Sequence, residues 1–270
     1  MQIAFIGGGV MGTAMIKGLL ARKLVSPDAI IASDISPARL EALGRDYAIR
    51  TTSDNKHALE GREIVVLAIK PQSLGQVMAE LKGHLGPEQL ALSIVAGADL
   101  AQLSRGLAHN GVVRVMPNMP AQIGEGMSLW TATSQVSQKK KEAVGSILGA
   151  LGKEIYVTDE RYLDMATAVS GSGPAYIFLI IESLIDAAVH IGLPRDIAGE
   201  LVLQTVLGAA RFAQDTGKHP AELRNLVTSP GGTTAEGLLQ LEEGGLRAIL
   251  AQAVFAAHNK AEELRGANGK

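Results

Sequence analysis

Short apolar runs rich in β-branched residues alternate with amphipathic helical segments through about residue 157. This alternation is typical of a parallel sheet covered by helices. The predicted strands are residues 2–6, 29–33, 64–68, 91–95 and 112–115, with a later pair at 127–131 and 154–157. The predicted helices between them include residues 11–21, 37–44, 74–81 and 100–107.

Beyond residue 159 the strand-like runs stop and long helical segments follow. They are predicted at residues 160–169, 174–191, 195–215, 220–227, 232–243 and 245–265. Gly192-Leu193-Pro194 is typical of a helix end followed by a new helix start, so two long helices are expected to form a hairpin there. The change of pattern predicts an α/β domain over residues 1–158 and an all-α domain over residues 159–270.

The two long predicted helices are apolar over more than one stripe, in residues 177–189 and 198–213. A helix that packs within one chain needs only a single apolar stripe. We therefore expect the helical domain to form an interface between copies of the chain.

Composition and charge exclude several classes of function. Lys and Arg number 25 against 27 for Asp and Glu, so the net charge of -2 gives no broad positive field for nucleic acid. The absence of cysteine rules out a thiolate nucleophile and a cysteine zinc site, and six histidines without ligand spacing predict no metal. Neither a signal segment nor an apolar run of about 20 residues is evident, so we expect a cytoplasmic protein without a membrane partner.

A glycine-rich motif follows the first predicted strand. Ile6 leads into Gly7-Gly8-Gly9-Val10-Met11-Gly12, which opens the next helix. Glycine at the first position suits a tight turn, at Gly9 it lets backbone amides approach a pyrophosphate, and at Gly12 it permits close packing of helix on strand. The motif predicts a Rossmann-type domain that binds NADPH or NADH.

Further cofactor contacts are expected where other strands end, because ligands of open α/β sheets lie beyond the carboxyl ends of the strands. Ser33-Asp34 ends the second strand, and a carboxylate there favours NADH by accepting from ribose hydroxyls. Arg39 is a cation five residues on that suits the 2'-phosphate of NADPH, so the preference stays open. The remaining predicted cofactor-binding residues are Asn55, Ala68, Ile69, Lys70, Pro71, Ala96 and Gly97.

Two glycine-rich loops precede helices in the second half of the chain, at residues 170–176 and 229–234. Each presents backbone amides and hydroxyls at a helix N-terminus, a place suited to a carboxylate.

These loops, with the N-terminal motif and the segments Lys70-Pro71 and Met116-Pro117-Asn118-x-Pro120, resemble the pyrroline-5-carboxylate reductase family. Ser229-Pro230-Gly231-Gly232-Thr233-Thr234, followed by Leu241-Glu242 and Gly245-Leu246-Arg247, is similar to the family's signature. The resemblance runs almost end to end. It implies NAD(P)H-dependent reduction of 1-pyrroline-5-carboxylate to L-proline, the last step of proline biosynthesis, by homodimers built through the helical domain that often assemble into decamers.

The resemblance also implies roles for individual residues. Backbone amides of Gly232, Thr233 and Thr234, together with Ser229, are expected to bind the substrate carboxylate. Thr234 is the predicted catalytic residue, because its hydroxyl is expected near the ring nitrogen. Glu160 matches a family position near bound proline and is expected either to steady the iminium charge or to stand exposed at a helix start.

Three positions depart from the family pattern. Val10 stands where asparagine is usual, and Met119 where threonine is usual, which removes polar side chains near the cofactor. Many members are neutral at the position of Asp34, so the family's common preference for NADPH does not transfer directly to this chain.

Two other functions fit parts of the pattern. A 3-hydroxyacid or 6-phosphogluconate-type dehydrogenase shares the two-domain plan, but it places a catalytic lysine about a turn after the first glycine-rich loop, and residues 176–181 contain none. A non-catalytic dinucleotide-binding regulator belongs to a different class. It would not need two anion-binding loops, yet the sequence leaves it open.

Overall fold

The computed structural model describes residues 1–268, and the chain folds into two compact units. Unit 1 comprises Met1–Ser172 together with the last turns of the chain from Ala257 onward, and unit 2 comprises Gly173–Ala256. Unit 1 therefore includes the first helical residues after position 158. The division into domains at residues 158 and 159 stays a prediction.

Unit 1 is built on one eight-stranded sheet with the strand order β3-β2-β1-β4-β5-β6-β7-β8. Neighbouring strands are parallel except β6 and β7, which are antiparallel. The strands are β1 (Ile3–Ile6), β2 (Ile30–Ser33), β3 (Arg50–Thr52), β4 (Ile64–Leu67), β5 (Leu90–Ser93), β6 (Val112–Met116), β7 (Gly126–Ala132) and β8 (Gly152–Tyr156).

Helices connect the strands and cover both faces of the sheet. They are α1 (Val10–Ala21), α2 (Pro37–Tyr47), α3 (Asn55–Leu59), α4 (Leu74–Leu81), α5 (Leu100–Leu107), α6 (Gln138–Gly149) and α7 (Arg161–Ala166). One turn of π-helix, Thr167–Gly171, follows α7, and the Ser172 amide donates to the Thr167 carbonyl oxygen at 2.8 Å. Single π turns occur frequently at functional sites.

The core of unit 1 lies on both sides of β1. Ile3 and Phe5 pack into one apolar cluster with residues of α1, and Ala4 and Ile6 pack into a second cluster with residues of α4 and α5. A strand that is buried on both faces is typical of a parallel sheet inside an α/β domain. Because β2, β1, β4, β5 and β6 run in the same direction, their carboxyl ends meet at one edge of the sheet.

Most sequence-predicted elements of unit 1 are present, with shifted ends. The predicted helices at residues 74–81 and 100–107 are confirmed to the residue. The short edge strand β3 was missed, because two of its three residues, Arg50 and Thr51, are exposed and polar. The strands β7 and β8 begin earlier than predicted, at Gly126 and Gly152. These two glycines lie side by side, since a Cβ on Gly152 would come within 2.1 Å of the Gly126 carbonyl oxygen.

Unit 2 is entirely helical, with α8 (Gly173–His190), α9 (Arg195–Thr216), α10 (Pro220–Leu226), α11 (Thr233–Glu243) and the first part of α12 (Leu246–Asn268). The turn between α8 and α9 contains Gly192 with a φ of +103°, which fits the predicted hairpin. In this single chain α8 has no buried residue and α9 has one, Ala198. Large apolar side chains such as Phe178, Leu179 and Phe212 are more than half exposed. Unit 2 thus presents far more apolar surface than an isolated chain normally leaves uncovered.

One helical stretch, Arg161–His190, is long and apolar enough by length and composition to cross a membrane, with a mean hydropathy of 1.5. The stretch is interrupted by the π turn, and Asp164 near its start is buried and ion-paired in unit 1. The predictions of no membrane partner and of a cytoplasmic location stay predictions.

Candidate active site

The turn after β1 is packed so closely that two of its positions accept only glycine. Gly7 has a φ of +101°, and a Cβ there would lie 2.5 Å from the carbonyl oxygen of Ala68 at the end of β4. A Cβ on Gly12 would lie 2.5 Å from the Gly7 carbonyl oxygen. Contacts below 3 Å are not tolerated, so these glycines bring α1 directly against the strand ends, as the sequence motif predicts.

Gly9 has a different environment. No atom lies within 4 Å of the position that its Cβ would occupy, so crowding inside the chain does not explain the glycine. The residue is the N-cap of the 12-residue helix α1, and its carbonyl oxygen accepts from the Thr13 amide at 2.9 Å. Open space at the positive end of a helix is what a dinucleotide pyrophosphate requires. The glycine turn therefore fits the predicted cofactor.

Asp34 is held by backbone amides on both of its carboxylate oxygens. Oδ2 accepts from the Gly8 amide at 2.8 Å, and Oδ1 accepts from the Ser36 amide at 2.9 Å. The side chain thus fixes the glycine turn and keeps a negative charge beside it. Arg39 and Lys17 line a neighbouring cavity of about 290 Å³ along α1. Arg39 also approaches Gly8 on the side of Asp34, since a Cβ on Gly8 would lie 3.2 Å from Arg39 Cγ and 3.5 Å from Asp34 Oδ2.

Asn55, the first residue of α3, is oriented by two side chains. Its Oδ1 accepts from the Ser33 hydroxyl at 2.7 Å, and its Nδ2 donates to Glu80 Oε2 at 2.9 Å. Ser33, Asp34 and Asn55 therefore lie together at the carboxyl end of β2. The sequence pattern did not point to Glu80 as a partner of Asn55, because Glu80 lies on a different helix.

The other predicted cofactor residues follow β4 and β5 at the same edge of the sheet. The Ala68 amide donates to the Ile6 carbonyl oxygen at 2.8 Å, and Ile69 contacts the space beside Gly7. Lys70 is exposed, and Ala96-Gly97 follows β5 with a φ of +75° at Gly97. These residues stay predicted contacts of the cofactor.

Asn118 joins two loops that the sequence motifs place far apart. Its Nδ2 donates to the Ser170 carbonyl oxygen at 3.0 Å, and its Oδ1 accepts from the Met127 amide at 2.8 Å. A Cβ on Gly171 would meet the Met116 methyl group at 3.2 Å. The start of the first glycine-rich loop therefore packs on the loop that ends β6.

A group of partly buried charges lies in the same unit. Arg114 in β6 has a side chain only 3% exposed, and it forms ion pairs with Glu160 and Asp164. Asp164 also pairs with Arg265 of α12. Glu160, predicted near the substrate, thus uses one carboxylate oxygen, Oε1, in an ion pair within unit 1, and its side chain is 27% exposed. An arginine in the apolar strand 112–116 was the one sequence signal for this cluster.

The second glycine-rich loop, residues 229–234 in unit 2, turns into α11. Gly231 has a φ of +67°, and the Gly232 amide donates to the Ser229 carbonyl oxygen at 3.1 Å. The Gly232 amide thus already has an acceptor within the loop, and its predicted contact with the substrate stays a prediction. Among the described residues, the amides of Thr233 and Thr234 have no acceptor in the protein. Two of the three predicted amide donors remain available.

The rest of the sequence signature forms the turn between α11 and α12. The Arg247 guanidinium binds both carboxylate oxygens of Glu242, with Nε at 2.9 Å from each. This hydrogen-bonded pairing holds the pKa of Glu242 below its usual value. The pair bridges Gly245, whose φ is +71°, so this part of the signature stabilises a helix–helix turn.

Two family models match the chain. The model described as pyrroline-5-carboxylate reductase dimerisation matches residues 160–264, and the model described as NADP oxidoreductase coenzyme F420-dependent matches residues 2–97. The pyrroline-5-carboxylate reductase of Synechocystis is 41% identical over 97% of this chain and 98% of its own length. The chain belongs to the pyrroline-5-carboxylate reductase family.

Solved structures agree with this membership. A pyrroline-5-carboxylate reductase from Coxiella burnetii superposes with a TM-score of 0.90 at 38% identity, covering 97% of this chain and 98% of the other. Plasmodium falciparum pyrroline carboxylate reductase with NADP bound superposes with a TM-score of 0.89 at 31% identity, covering 98% of both chains. The Aquifex aeolicus prephenate dehydrogenase, at 13% identity and a TM-score of 0.55, shares the fold alone.

The family confirms several sequence predictions. The protein is an NAD(P)H-dependent oxidoreductase with a Rossmann-type domain followed by a helical dimerisation domain, and it forms homo-oligomers. The alternative dehydrogenase is not favoured, since the nearly full-length relatives carry the reductase name. The roles of the individual site residues stay predictions.

Gly9 and Gly12 should respond differently to alanine. Gly12→Ala forces a methyl group against the Gly7 carbonyl oxygen, so we expect the free energy of unfolding to fall by about 1–3 kcal/mol in urea titrations. Gly9→Ala adds a methyl group to open space, so stability should change little. Cofactor affinity should fall by about tenfold or more, equivalent to about 1.4 kcal/mol. A Gly9→Ala protein that binds NADPH and NADH like wild type would show that the cofactor does not approach this turn.

Removing the charge of Asp34 should shift the choice of cofactor. For Asp34→Ser, the ratio of kcat/KM with NADPH to kcat/KM with NADH should rise by about tenfold or more, because juxtaposed like charges cost several kcal/mol. Asp46→Ser, which removes an exposed carboxylate paired with Arg45, is the matched control and should leave the ratio unchanged. An unchanged ratio for Asp34→Ser would exclude Asp34 as a determinant of cofactor choice.

Proposed function

We propose that the protein reduces 1-pyrroline-5-carboxylate to L-proline with NADPH or NADH, as the last step of proline biosynthesis. The observation that carries this proposal is the similarity to pyrroline-5-carboxylate reductases over 97% of the chain. The open helix N-terminus at Gly9 and the two available amides at the start of α11 support it.

In unit 1 the residues of the glycine turn bind the cofactor. The amides at the start of α1 face the pyrophosphate, and Gly9 leaves room for its close approach. Asp34 holds the Gly8 amide in place and faces the adenosine end, where Asn55 and Ser33 also lie. When bound, the nicotinamide supplies a hydride to the carbon of the substrate C=N bond, and a proton on the ring nitrogen completes the reduction.

In unit 2 the loop at residues 229–234 binds the substrate carboxylate. The amides of Thr233 and Thr234 and the positive end of α11 favour an anion, and the exposed Ser229 adds a hydroxyl donor. Thr234 is half-buried, and its hydroxyl is proposed to hydrogen-bond near the ring nitrogen. No elaborate acid–base triad is required, because an iminium accepts hydride directly once it is held in position.

We further propose that α8 and α9 form the interface of a homodimer and that dimers assemble into decamers. The exposed apolar side chains on these helices support the dimer, since covering them removes a large apolar area from water. The family model for dimerisation spans both helices.

The direct test is a spectrophotometric assay at 340 nm. Addition of 1-pyrroline-5-carboxylate to enzyme and NADPH or NADH should cause oxidation of the cofactor and formation of proline. Cofactor binding without oxidation would instead favour a dinucleotide-binding regulator. Oxidation only with a 3-oxoacid, the reverse of a hydroxyacid dehydrogenase reaction, would favour the dehydrogenase alternative.

Thr234→Ala tests the proposed catalytic hydroxyl. We expect kcat/KM for 1-pyrroline-5-carboxylate to fall by about a hundredfold, which is the lower end of the effect of a positioned proton donor or acceptor. The Kd of the cofactor should stay unchanged. Thr234→Ser retains the hydroxyl and should restore most of the activity. Equal kinetics for all three proteins would remove Thr234 from the mechanism.

Leu179→Glu tests the proposed dimer interface. The side chain is 63% exposed on α8 in the single chain, so burying a carboxylate there against a second copy should be strongly unfavourable. Light scattering should show a smaller assembly than wild type. Ile35→Glu, at an exposed apolar residue of unit 1, is the control and should leave the mass unchanged. A wild-type mass for Leu179→Glu would contradict an interface at this part of α8.

A further inference from the structure

Four charged side chains in unit 1 form a partly buried charge cluster consisting of Arg114, Glu160, Asp164 and Arg265. Arg114 uses its two terminal nitrogens separately, with Nη1 at 2.9 Å from Glu160 Oε1 and Nη2 at 2.7 Å from Asp164 Oδ1. The side chains of Arg114 and Asp164 are each 3% exposed. The cluster contains two cations and two anions, so its net charge is zero.

Glu160 connects this cluster to the loop that follows β5. Its Oε1 also accepts from the Leu100 amide, the first amide of α5, at 2.8 Å. Leu100 lies three residues after Gly97, a predicted cofactor contact. Arg114 precedes Met116, the last residue of β6, by two positions. One carboxylate oxygen thus ties the start of α5, in the segment after β5, to strand β6.

Asp164 connects the same cluster to the π turn. It lies in α7, three residues before Thr167, where the π turn begins. At the far end of that turn the Ser170 carbonyl oxygen accepts from Asn118 Nδ2, which belongs to the loop after β6. Asn118 therefore ties the loop after β6 to the π turn, while Arg114 ties strand β6 itself to α7 through Asp164.

The chemistry of the cluster suits a device that fixes geometry. A guanidinium holds two carboxylates in a planar arrangement that a lysine does not reproduce. A buried ion pair adds little net stability, because desolvation offsets its Coulomb energy, but its partners become strongly interdependent. Such a cluster is therefore better explained by the positions that it imposes on the attached loops than by stability alone.

We propose that Glu160 is a positioning residue that acts through Arg114 and the Leu100 amide, and that it does not contact the substrate. It holds the loops after β5 and β6 in the arrangement that receives the cofactor. The kinetic test of this inference rests on the proposed function. The binding test requires only that the protein binds the cofactor.

The test compares Glu160→Gln with Glu160→Ala. Glutamine keeps an oxygen that accepts from both Arg114 and Leu100, so the Kd of NADPH and NADH, measured by quenching of Trp130 fluorescence or by calorimetry, should stay within about twofold of wild type. Alanine removes that oxygen, so the Kd should rise by about three- to thirtyfold, the range expected for residues that act through neighbours. Turnover by Glu160→Ala should fall by up to about a hundredfold from the displaced loops.

The pH dependence of kcat separates positioning from direct contact. If Glu160 acts by position, Glu160→Gln should retain the wild-type profile with 1-pyrroline-5-carboxylate. A Glu160→Gln protein with wild-type cofactor affinity but a large loss of kcat and an altered profile would overturn the proposal, since it would indicate that the carboxylate charge acts on the substrate. Wild-type cofactor affinity in Glu160→Ala would overturn it as well.

Two controls make these outcomes decisive. Glu88→Ala and Glu88→Gln change a glutamate that is 94% exposed, and should alter neither binding nor turnover. If Glu160→Ala does not fold, Arg114→Lys provides the second variant, because lysine keeps the charge but does not hold both carboxylates. Arg114→Lys should then raise the Kd of the cofactor, and an unchanged Kd would overturn the proposal. Absence of reductase activity in the wild type would refute the proposed function while leaving the binding arms intact.

Discussion

The contact between the turn after β1 and the end of β4 is the constraint on which the rest of unit 1 depends. Because Gly7 lies against the Ala68 carbonyl oxygen and Gly12 lies against Gly7, helix α1 starts directly above the strand ends. That placement directs the first amides of α1 into the open space at Gly9. Any larger side chain at the crowded positions would move the helix away from the sheet and remove the anion-binding geometry.

Around this turn the backbone lacks regular secondary structure, and hydrogen bonds with polar side chains hold it instead. Asp34 holds the Gly8 amide, Asn118 joins the loop after β6 to the π turn, and Arg114 pairs with Glu160. Each of these groups is satisfied by specific partners, as buried or half-buried polar atoms must be. The carboxyl edge of the sheet is therefore held by a set of directed contacts, while the apolar clusters on the two faces of the sheet supply the stability.

Unit 2 follows a different principle. The loop and turn of the family signature are held by contacts within the chain. The Glu242–Arg247 pair at the α11–α12 turn is an example. Yet the apolar faces of α8 and α9 have no partner in the single chain. The turns of unit 2 are thus held by contacts within one chain, whereas the apolar faces of α8 and α9 are the surfaces that we propose a second copy covers in this homo-oligomeric family.

Local patterns of apolar and glycine residues were enough to predict the fold class, the glycine turn and the helical second half. They also predicted α4 and α5 to the residue. The short strand β3 was not predicted, since an exposed polar edge strand has no periodic pattern of apolar residues. The folded chain was needed to show that Asp34 binds the Gly8 amide, that the Gly232 amide is engaged within its loop, and that Glu160 pairs with Arg114. The reason is physical: Asp34 and Glu160 take their roles from partners 26 and 46 residues away, and a linear pattern does not contain those contacts.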